Sequence, residues 1–139
     1  MDQKYYPEPV VGAFIINAKN QLFLAKSHKW GNSYVIPGGH IEIGEKIEDA
    51  LVREVKEETN LDISDPQFIC LWEFIQEKEF IKKKHMIFLD YVVHTNGDQV
   101  ILNEEAEEYV WVDKNEVFTL PLEKYTKMTL ERYAEEIFR

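Results

Sequence analysis

The sequence predicts an α/β protein, a mixed β-sheet sandwiched between helices. In residues 45–59, Ile47, Leu51 and Val55 recur at i, i+4 and i+8, which is a helical period. Runs rich in β-branched and aromatic residues lie on both sides of this stretch. Residues 124–139 keep helical spacing as well, so a second, amphipathic helix is expected to close the chain.

The strands are predicted from apolar runs that end in turn residues. A polar turn separates the first two runs, which are therefore expected to form a hairpin, and Pro37 with two glycines stops the third. The basic residues Lys82 to Lys84 are predicted at the tip of a later hairpin. The predicted strands are residues 10–16, 21–26, 34–36, 67–76, 85–93 and 109–112, with a short extended segment at 40–43.

Length and composition point to one globular domain over residues 1–139. The chain is 45% hydrophobic and carries a net charge of −10. This charge argues against binding to nucleic acid polymers or anionic membranes, which attract basic surfaces. With no signal-peptide pattern and a single cysteine, Cys70, in an apolar run, a buried thiol in a cytoplasmic protein is expected.

Three glutamates of the central helix suggest a metal site. At about 100° per residue, Glu54, Glu57 and Glu58 project from a face that borders the apolar stripe. Crowded carboxylates at a core boundary need a cation, and Arg53 alone leaves an excess of negative charge. Oxygen ligands without Cys or His favour Mg²⁺ or Mn²⁺. The alternative is an ordinary surface helix rich in Glu and Lys.

The same stretch resembles the Nudix box, G-x5-E-x7-R-E-U-x-E-E-x-G-U, in which U is aliphatic. The matching residues are Gly39, Glu45, Arg53, Glu54, Val55, Glu57, Glu58 and Leu61. Asn60 stands where the pattern has Gly, at the point where the helix must end in a left-handed turn. Asn is the usual second choice there, so the departure is mild.

The resemblance implies the Nudix fold and hydrolysis of a nucleoside diphosphate linked to another moiety, with divalent cations. It implies metal binding by Glu54, Glu57, Glu58 and the Gly39 carbonyl, and catalysis by Glu57 and Glu54 together with Arg53. Arg53 is expected to orient Glu57. Glu45 could cap the helix N-terminus or bind a water beside the metal, and we favour the structural role.

Members of this family often take a general base from the loop before the last strand. Here that loop contains Glu104, Glu105, Glu107 and Glu108, and strand alternation does not choose among them. We favour Glu105, and most of the run is expected to be solvated loop.

Substrate-binding residues are predicted near the Gly-Gly turn. Trp30 could stack on a base or serve as a cover of the core, Lys26 and Lys29 could hold phosphates, and His40 could face the site. The short chain resembles compact MutT-like members, which suggests a nucleoside triphosphate substrate cut to the monophosphate and pyrophosphate. The alternatives are a nucleotide-sugar hydrolase and a catalytically silent nucleotide-sensing module. The sequence leaves monomer and homodimer open.

Overall fold

The computed structural model describes residues 6–78 and 81–139 and contains one mixed β-sheet between two helices. The strands are β1 (Glu8–Ile16), β2 (Leu22–Ser27), β3 (Ser33–Val35), β4 (Gly38–His40), β5 (Ser64–Lys78), β6 (Ile81–His94) and β7 (Glu108–Val112). The helices are α1 (Ile47–Thr59) and α2 (Lys124–Ile137), with single 3₁₀ turns at His28–Trp30 and Val117–Thr119.

The sheet is mixed because one of its pairings is parallel. Its order is β3-β2-β1-β6-β5, with β4 paired to β1 and β7 paired to β2. Strands β1 and β6 run parallel, and the other pairs are antiparallel. The predicted α/β fold with a mixed sheet is confirmed.

Alternating side chains of the central strand β1 supply both cores, as a two-residue period requires. One face of β1 packs against α1 and the other against α2. The core on the α1 side includes Val11, Ala13, Ile15, Leu51 and Val55. The core on the α2 side includes Phe14, Ile16, Leu130 and Ile137. This packing fixes the position of each helix relative to β1.

Several predicted boundaries differ from the observed ones. Helix α1 begins at Ile47 and not at Glu45, and the strand after the Gly-Gly turn ends at His40. Strand β5 begins already at Ser64, because Pro66 is tolerated on this edge strand of the sheet.

The predicted hairpin tip at Lys82 to Lys84 is wrong, because these residues belong to β6. The β5–β6 ladder reaches the pair Lys78–Ile81, so the connection between these strands precedes Lys82. Residues 79 and 80 are outside the described part of the chain.

Helix α1 ends as its sequence predicts. Asn60 adopts φ 70°, the left-handed conformation, and its backbone N–H bonds to the Lys56 carbonyl. The Asn60 side chain donates to the Gln99 carbonyl at 3.1 Å. Asn therefore replaces the Gly of the pattern and adds a tertiary contact.

Candidate active site

The site is organised by the close approach of helix α1 to the two glycines of β4. Strand β4 pairs with β1, placing Gly38 and Gly39 beside Gly12 and Val11. A Cβ atom built on Gly39 would lie 2.4 Å from the carboxyl carbon of Glu54. The missing side chain of Gly39 is therefore the space that the Glu54 carboxylate occupies.

Glu58 joins Glu54 at the same point. Its carboxyl group lies near that of Glu54 and near the Gly38 backbone N–H. Burial, followed by the hydrogen bond and the charge of Glu54 and the charge of Glu105, holds the pKa of Glu58 well above its usual range. The two carboxylates therefore repel each other at this point.

This carboxylate pair fits a hard divalent cation. Its donors are all oxygens, and a cation would offset the repulsion between the two carboxylates. Among the described residues, no three acidic, His or Cys side chains are already gathered into a metal-binding group. Glu57 is 55% exposed and lies at the margin of the pair, so it would complete the ligand set only by turning inward.

Arg53 donates hydrogen bonds to the carboxylates of Glu45 and Glu54. Its Nε and Nη2 donate to Glu45 at 2.7 and 2.9 Å, and its Nη1 donates to Glu54 at 2.8 Å. Nη2 also donates to the His40 carbonyl at 3.0 Å, which ties α1 to the end of β4. The contact with Glu57 is longer, 3.4 Å. Arg53 thus orients Glu54 first and Glu57 second, a different order from the one expected.

Glu45 has the expected structural role by a different contact. The predicted cap is wrong: the N-cap residue is Lys46, which makes no side-chain cap bond. Glu45 instead accepts from Arg53 and from the Glu42 backbone N–H. These bonds, led by that of Arg53, lower the pKa of Glu45 to about 2.

The predicted acidic loop is held by ion pairs, and its last predicted member, Glu108, already belongs to β7. Glu108 pairs with Lys26 at 3.2 Å, Glu107 pairs with His28, and Glu105 pairs with Lys29 at 3.0 Å. Of the loop glutamates, Glu105 is the one whose charge acts on Glu58. The assignment of Glu105 as the base remains a prediction.

Of the predicted substrate-binding residues, His40 is tied to the site, because its carbonyl accepts a hydrogen bond from Arg53. Trp30 is 47% exposed, so it does not serve as a cover of the core and its ring is available for stacking. Lys26 and Lys29 are both engaged with loop glutamates, and His40 pairs with Glu8 at 2.9 Å. Their roles toward substrate remain predictions.

A second buried carboxylate, Asp90 on β6, was missed by the sequence analysis. It is 5% exposed and accepts a hydrogen bond of 2.9 Å from the Thr129 hydroxyl of α2. Burial is the main cause that raises the pKa of Asp90 to about 6. The only sign of this buried carboxylate in the sequence was an aspartate inside an otherwise apolar strand. Beside it, burial raises the pKa of the Cys70 thiol to about 11, in agreement with an unreactive buried thiol.

Comparison with known proteins identifies the family. The family model described as NUDIX domain matches residues 6–133, nearly the whole chain. The chain belongs to the NUDIX family. The stretch Gly39–Leu61, with its glutamates placed as described above, is the Nudix box of this member.

Three curated relatives are similar to this member. The uncharacterised Nudix hydrolase YvcI of Bacillus subtilis is 32% identical over 64% of this chain and 56% of its own length. The ADP-ribose pyrophosphatase of Methanocaldococcus jannaschii is 29% identical over 81% of this chain and 66% of its own length. The nucleoside triphosphatase NudI of Escherichia coli is 32% identical over 70% of this chain and 73% of its own length. The chain thus spans between about half and three quarters of the length of these relatives.

The solved structures agree in fold. The MutT protein from Methanosarcina mazei Go1 superposes with a TM-score of 0.74 and 25% identity, covering 96% of this Nudix chain and 98% of the other. Within residues 6–78 and 81–139, none of the helices combines the length and apolar character needed to span a bilayer.

Proposed function

We propose that this Nudix protein is a Mg²⁺-dependent pyrophosphohydrolase that cleaves a nucleoside diphosphate linked to another moiety. Its best substrate is a nucleoside triphosphate, cut to the monophosphate and pyrophosphate. The observation that carries the proposal is the pair Glu54–Glu58, whose Glu54 carboxylate lies against the bare backbone of Gly39. Mn²⁺ would serve in place of Mg²⁺, since both favour oxygen ligands.

The residues that would hold the cation are Glu54, Glu57, Glu58 and the Gly39 carbonyl. When bound, a divalent cation neutralises phosphate oxygens and lowers the pKa of bound water. Crowded, partly buried carboxylates favour such an ion, which is why this part of the chain is proposed as the metal site.

The protein's own groups supply orientation and a proton acceptor. Arg53 fixes the Glu54 carboxylate and, through the His40 carbonyl, the end of β4. Glu105 accepts the proton of the attacking water while the water oxygen bonds to phosphorus. The bond from phosphorus to the bridging oxygen breaks, and pyrophosphate leaves with that oxygen. Such catalysis depends on positioning and on preorganised charge.

The substrate assignment rests on the surroundings of the site and on one relative. Trp30 offers an exposed ring for a base, and the similarity to the nucleoside triphosphatase NudI supports a triphosphate. The negative charge of the protein would repel such a substrate without bound cations, which makes activity strictly metal-dependent.

A nucleotide-sugar substrate is the second candidate. The similarity to an ADP-ribose pyrophosphatase over 81% of the chain favours it. Against a catalytically silent sensing module stands the complete set of box glutamates, with Glu54 and Glu58 already brought together.

The test is phosphate and pyrophosphate release from a substrate panel, with and without Mg²⁺. The panel holds canonical and oxidised nucleoside triphosphates, ADP-ribose, nucleotide sugars and dinucleoside polyphosphates. We expect metal-dependent release of pyrophosphate from triphosphates. Cleavage of ADP-ribose or nucleotide sugars alone would select the second candidate, and nucleotide binding without cleavage would select the sensing module.

Glu57→Gln tests the mechanism. We expect it to abolish metal-dependent turnover while leaving the fold intact, because Glu57 is half-exposed and holds no core contact. Glu48→Gln, an isosteric change at an exposed position of the same helix, is the matched control and should retain full activity. Retained activity in Glu57→Gln would show that the mechanism is wrong.

A further inference from the structure

One face of the β5–β6 hairpin is apolar and uncovered. Side chains alternate between the two faces of a strand, and on one face the Thr129 hydroxyl of α2 accepts from Trp72 and donates to Asp90. The side chains between them lie on the α1 side of the sheet, where α1 packs against β1 and β4. We call this set the outer face; its members are Phe68, Leu71, Glu73 and Ile75 of β5 and His85, Ile87, Leu89 and Tyr91 of β6.

Three apolar side chains of the outer face are about half exposed. Phe68, Leu71 and Ile75 are 53%, 48% and 58% exposed. The outer face continues into the protein interior, because the rings of Phe68 and Tyr91 lie 5.4 Å apart and Tyr91 packs against the core on the α1 side. Single apolar residues are ordinary on a protein surface, whereas a contiguous set on one sheet face is typical of an interaction site.

The outer face carries little charge in a strongly acidic protein. The chain has a net charge of −10, so two copies repel each other over much of their surfaces. The charged groups of the outer face are Glu73 and His85, which hydrogen-bond to each other at 3.1 Å. Two copies of this chain would therefore meet little repulsion across the outer face.

The two ends of the hairpin carry opposite charges. Asp62, which also pairs with Lys56, and Asp65 are exposed at the start of β5. At the other end, the sequence of residues 77–84 contains four lysines and two glutamates. A two-fold axis that makes the β5 strands of two copies antiparallel would place each basic end beside the partner's acidic end, whereas parallel strands would place like charges together. The hairpin is thus complementary to a second copy of itself.

We propose that the outer face is the contact surface of a homodimer, in which the β5–β6 hairpins of two copies pack face to face with antiparallel β5 strands. Strand β5 has 15 residues, a length of about 50 Å, and two strands are about 10 Å wide. The contact would cover about 500 Å² of each copy, the low end for a specific interface. The dimer is therefore reversible, with a Kd of about micromolar order. It does not depend on the proposed function.

Sedimentation equilibrium of the whole chain tests the proposal. Leu71→Lys puts a charge at the middle of the outer face, and Ile75→Lys does so at a second position. Phe118→Lys is the matched control, because Phe118 is 48% exposed like Leu71 and lies in the turn after β7, which pairs with β2 away from β5. Circular dichroism verifies that each variant is folded.

We expect the wild type and Phe118→Lys to dimerise with the same Kd, and Leu71→Lys and Ile75→Lys to dimerise at least about tenfold more weakly. A wild type that stays monomeric up to about 1 mM would overturn the proposal. Equal dimerisation of the folded variants and the wild type would also overturn it, because the contact would then lie elsewhere.

The strand direction is tested without disturbing the outer face. Ser64→Cys, at an exposed position at the start of β5, accepts a spin label, whereas the native Cys70 is buried. Ser64 lies about 23 Å along the strand from Leu71, so double electron–electron resonance should give a label separation of about 45 Å in an antiparallel dimer. A separation below about 20 Å would show parallel strands and overturn the proposed arrangement.

Discussion

At the scale of single residues, the acidic groups of this protein fall into two kinds. Glu45 is ionised by its bonds to Arg53, whereas desolvation raises the pKa of Glu58 and of Asp90. The first kind stabilises the fold, and the second kind costs stability at neutral pH. Glu58, which is of the second kind, lies beside a carboxylate of the proposed metal site. Its cost in stability therefore has a functional reason.

The buried carboxylate of Asp90 should make the protein less stable as pH rises. The pKa of Asp90 is about 6 in the folded state and 3.8 is its ordinary value, so the folded state binds more protons between these values. The free energy of unfolding should therefore fall from about pH 4 to about pH 6, by at most about 3 kcal/mol. Urea unfolding across this range measures the fall.

Asp90→Asn should remove this part of the pH dependence and raise stability at pH 7 to 8, because an amide keeps a partner for Thr129 without a buried charge. Asp98→Asn, at an exposed position of a loop, is the matched control and should leave the profile unchanged. An unaltered profile in Asp90→Asn would contradict the assignment.

At the scale of elements, strand β4 contains one glycine that the fold requires and one glycine that the site requires. A Cβ atom on Gly38 would lie 2.0 Å from the Val11 carbonyl oxygen, which is backbone of β1. The same atom on Gly39 would meet the end of the Glu54 side chain, which can move away. Neighbouring glycines are thus required for different reasons.

Alanine at each glycine should show this separation. Gly38→Ala should lower the free energy of unfolding by about 3 kcal/mol, because backbone must shift. Gly39→Ala should leave thermal stability nearly unchanged and lower kcat about a hundredfold, because it displaces Glu54. Thermal unfolding and turnover of both variants provide the measurement, and a stable, inactive Gly38→Ala would contradict this division.

At the scale of the whole molecule, the periodic part of the fold could be predicted from the sequence. The α1 stripe, the αL end at Asn60 and the mixed sheet are confirmed. The partner of Glu45 could not be predicted, because Arg53 reaches it across the turn before α1 and not along the helix. Asp90 accepts a hydrogen bond from Thr129 of α2, which is distant in sequence. No local sequence pattern encodes this contact.

The candidate site was predictable as far as the box extends. Spacing placed Glu54 and Glu58 on one face, but it placed Glu57 there equally, whereas the structure leaves Glu57 at the margin. The loop glutamates were indistinguishable in sequence, since their difference arises from which basic residue of β2 or the 3₁₀ turn faces each one. Such pairings are set by the tertiary fold.

The stability of the whole protein should depend on the metal. A ligand that binds only the folded state at a hundred times its Kd adds about 2.7 kcal/mol to the free energy of unfolding. We expect Mg²⁺ to give the wild type such an increase in urea unfolding. Glu58→Gln should be more stable than the wild type without metal, because it removes a buried carboxylate, and should gain nothing from Mg²⁺. An equal gain in both proteins would place the cation elsewhere.

The most direct test of the account is Mn²⁺ binding measured by electron paramagnetic resonance, without any substrate. We compare the wild type with Glu58→Gln and with the exposed control Glu48→Gln. The account predicts saturable Mn²⁺ binding in the wild type and in the control, competed by Mg²⁺, and at least about a tenfold loss of affinity in Glu58→Gln. Equal binding in all three proteins would contradict the claim that the Glu54–Glu58 pair is the metal site.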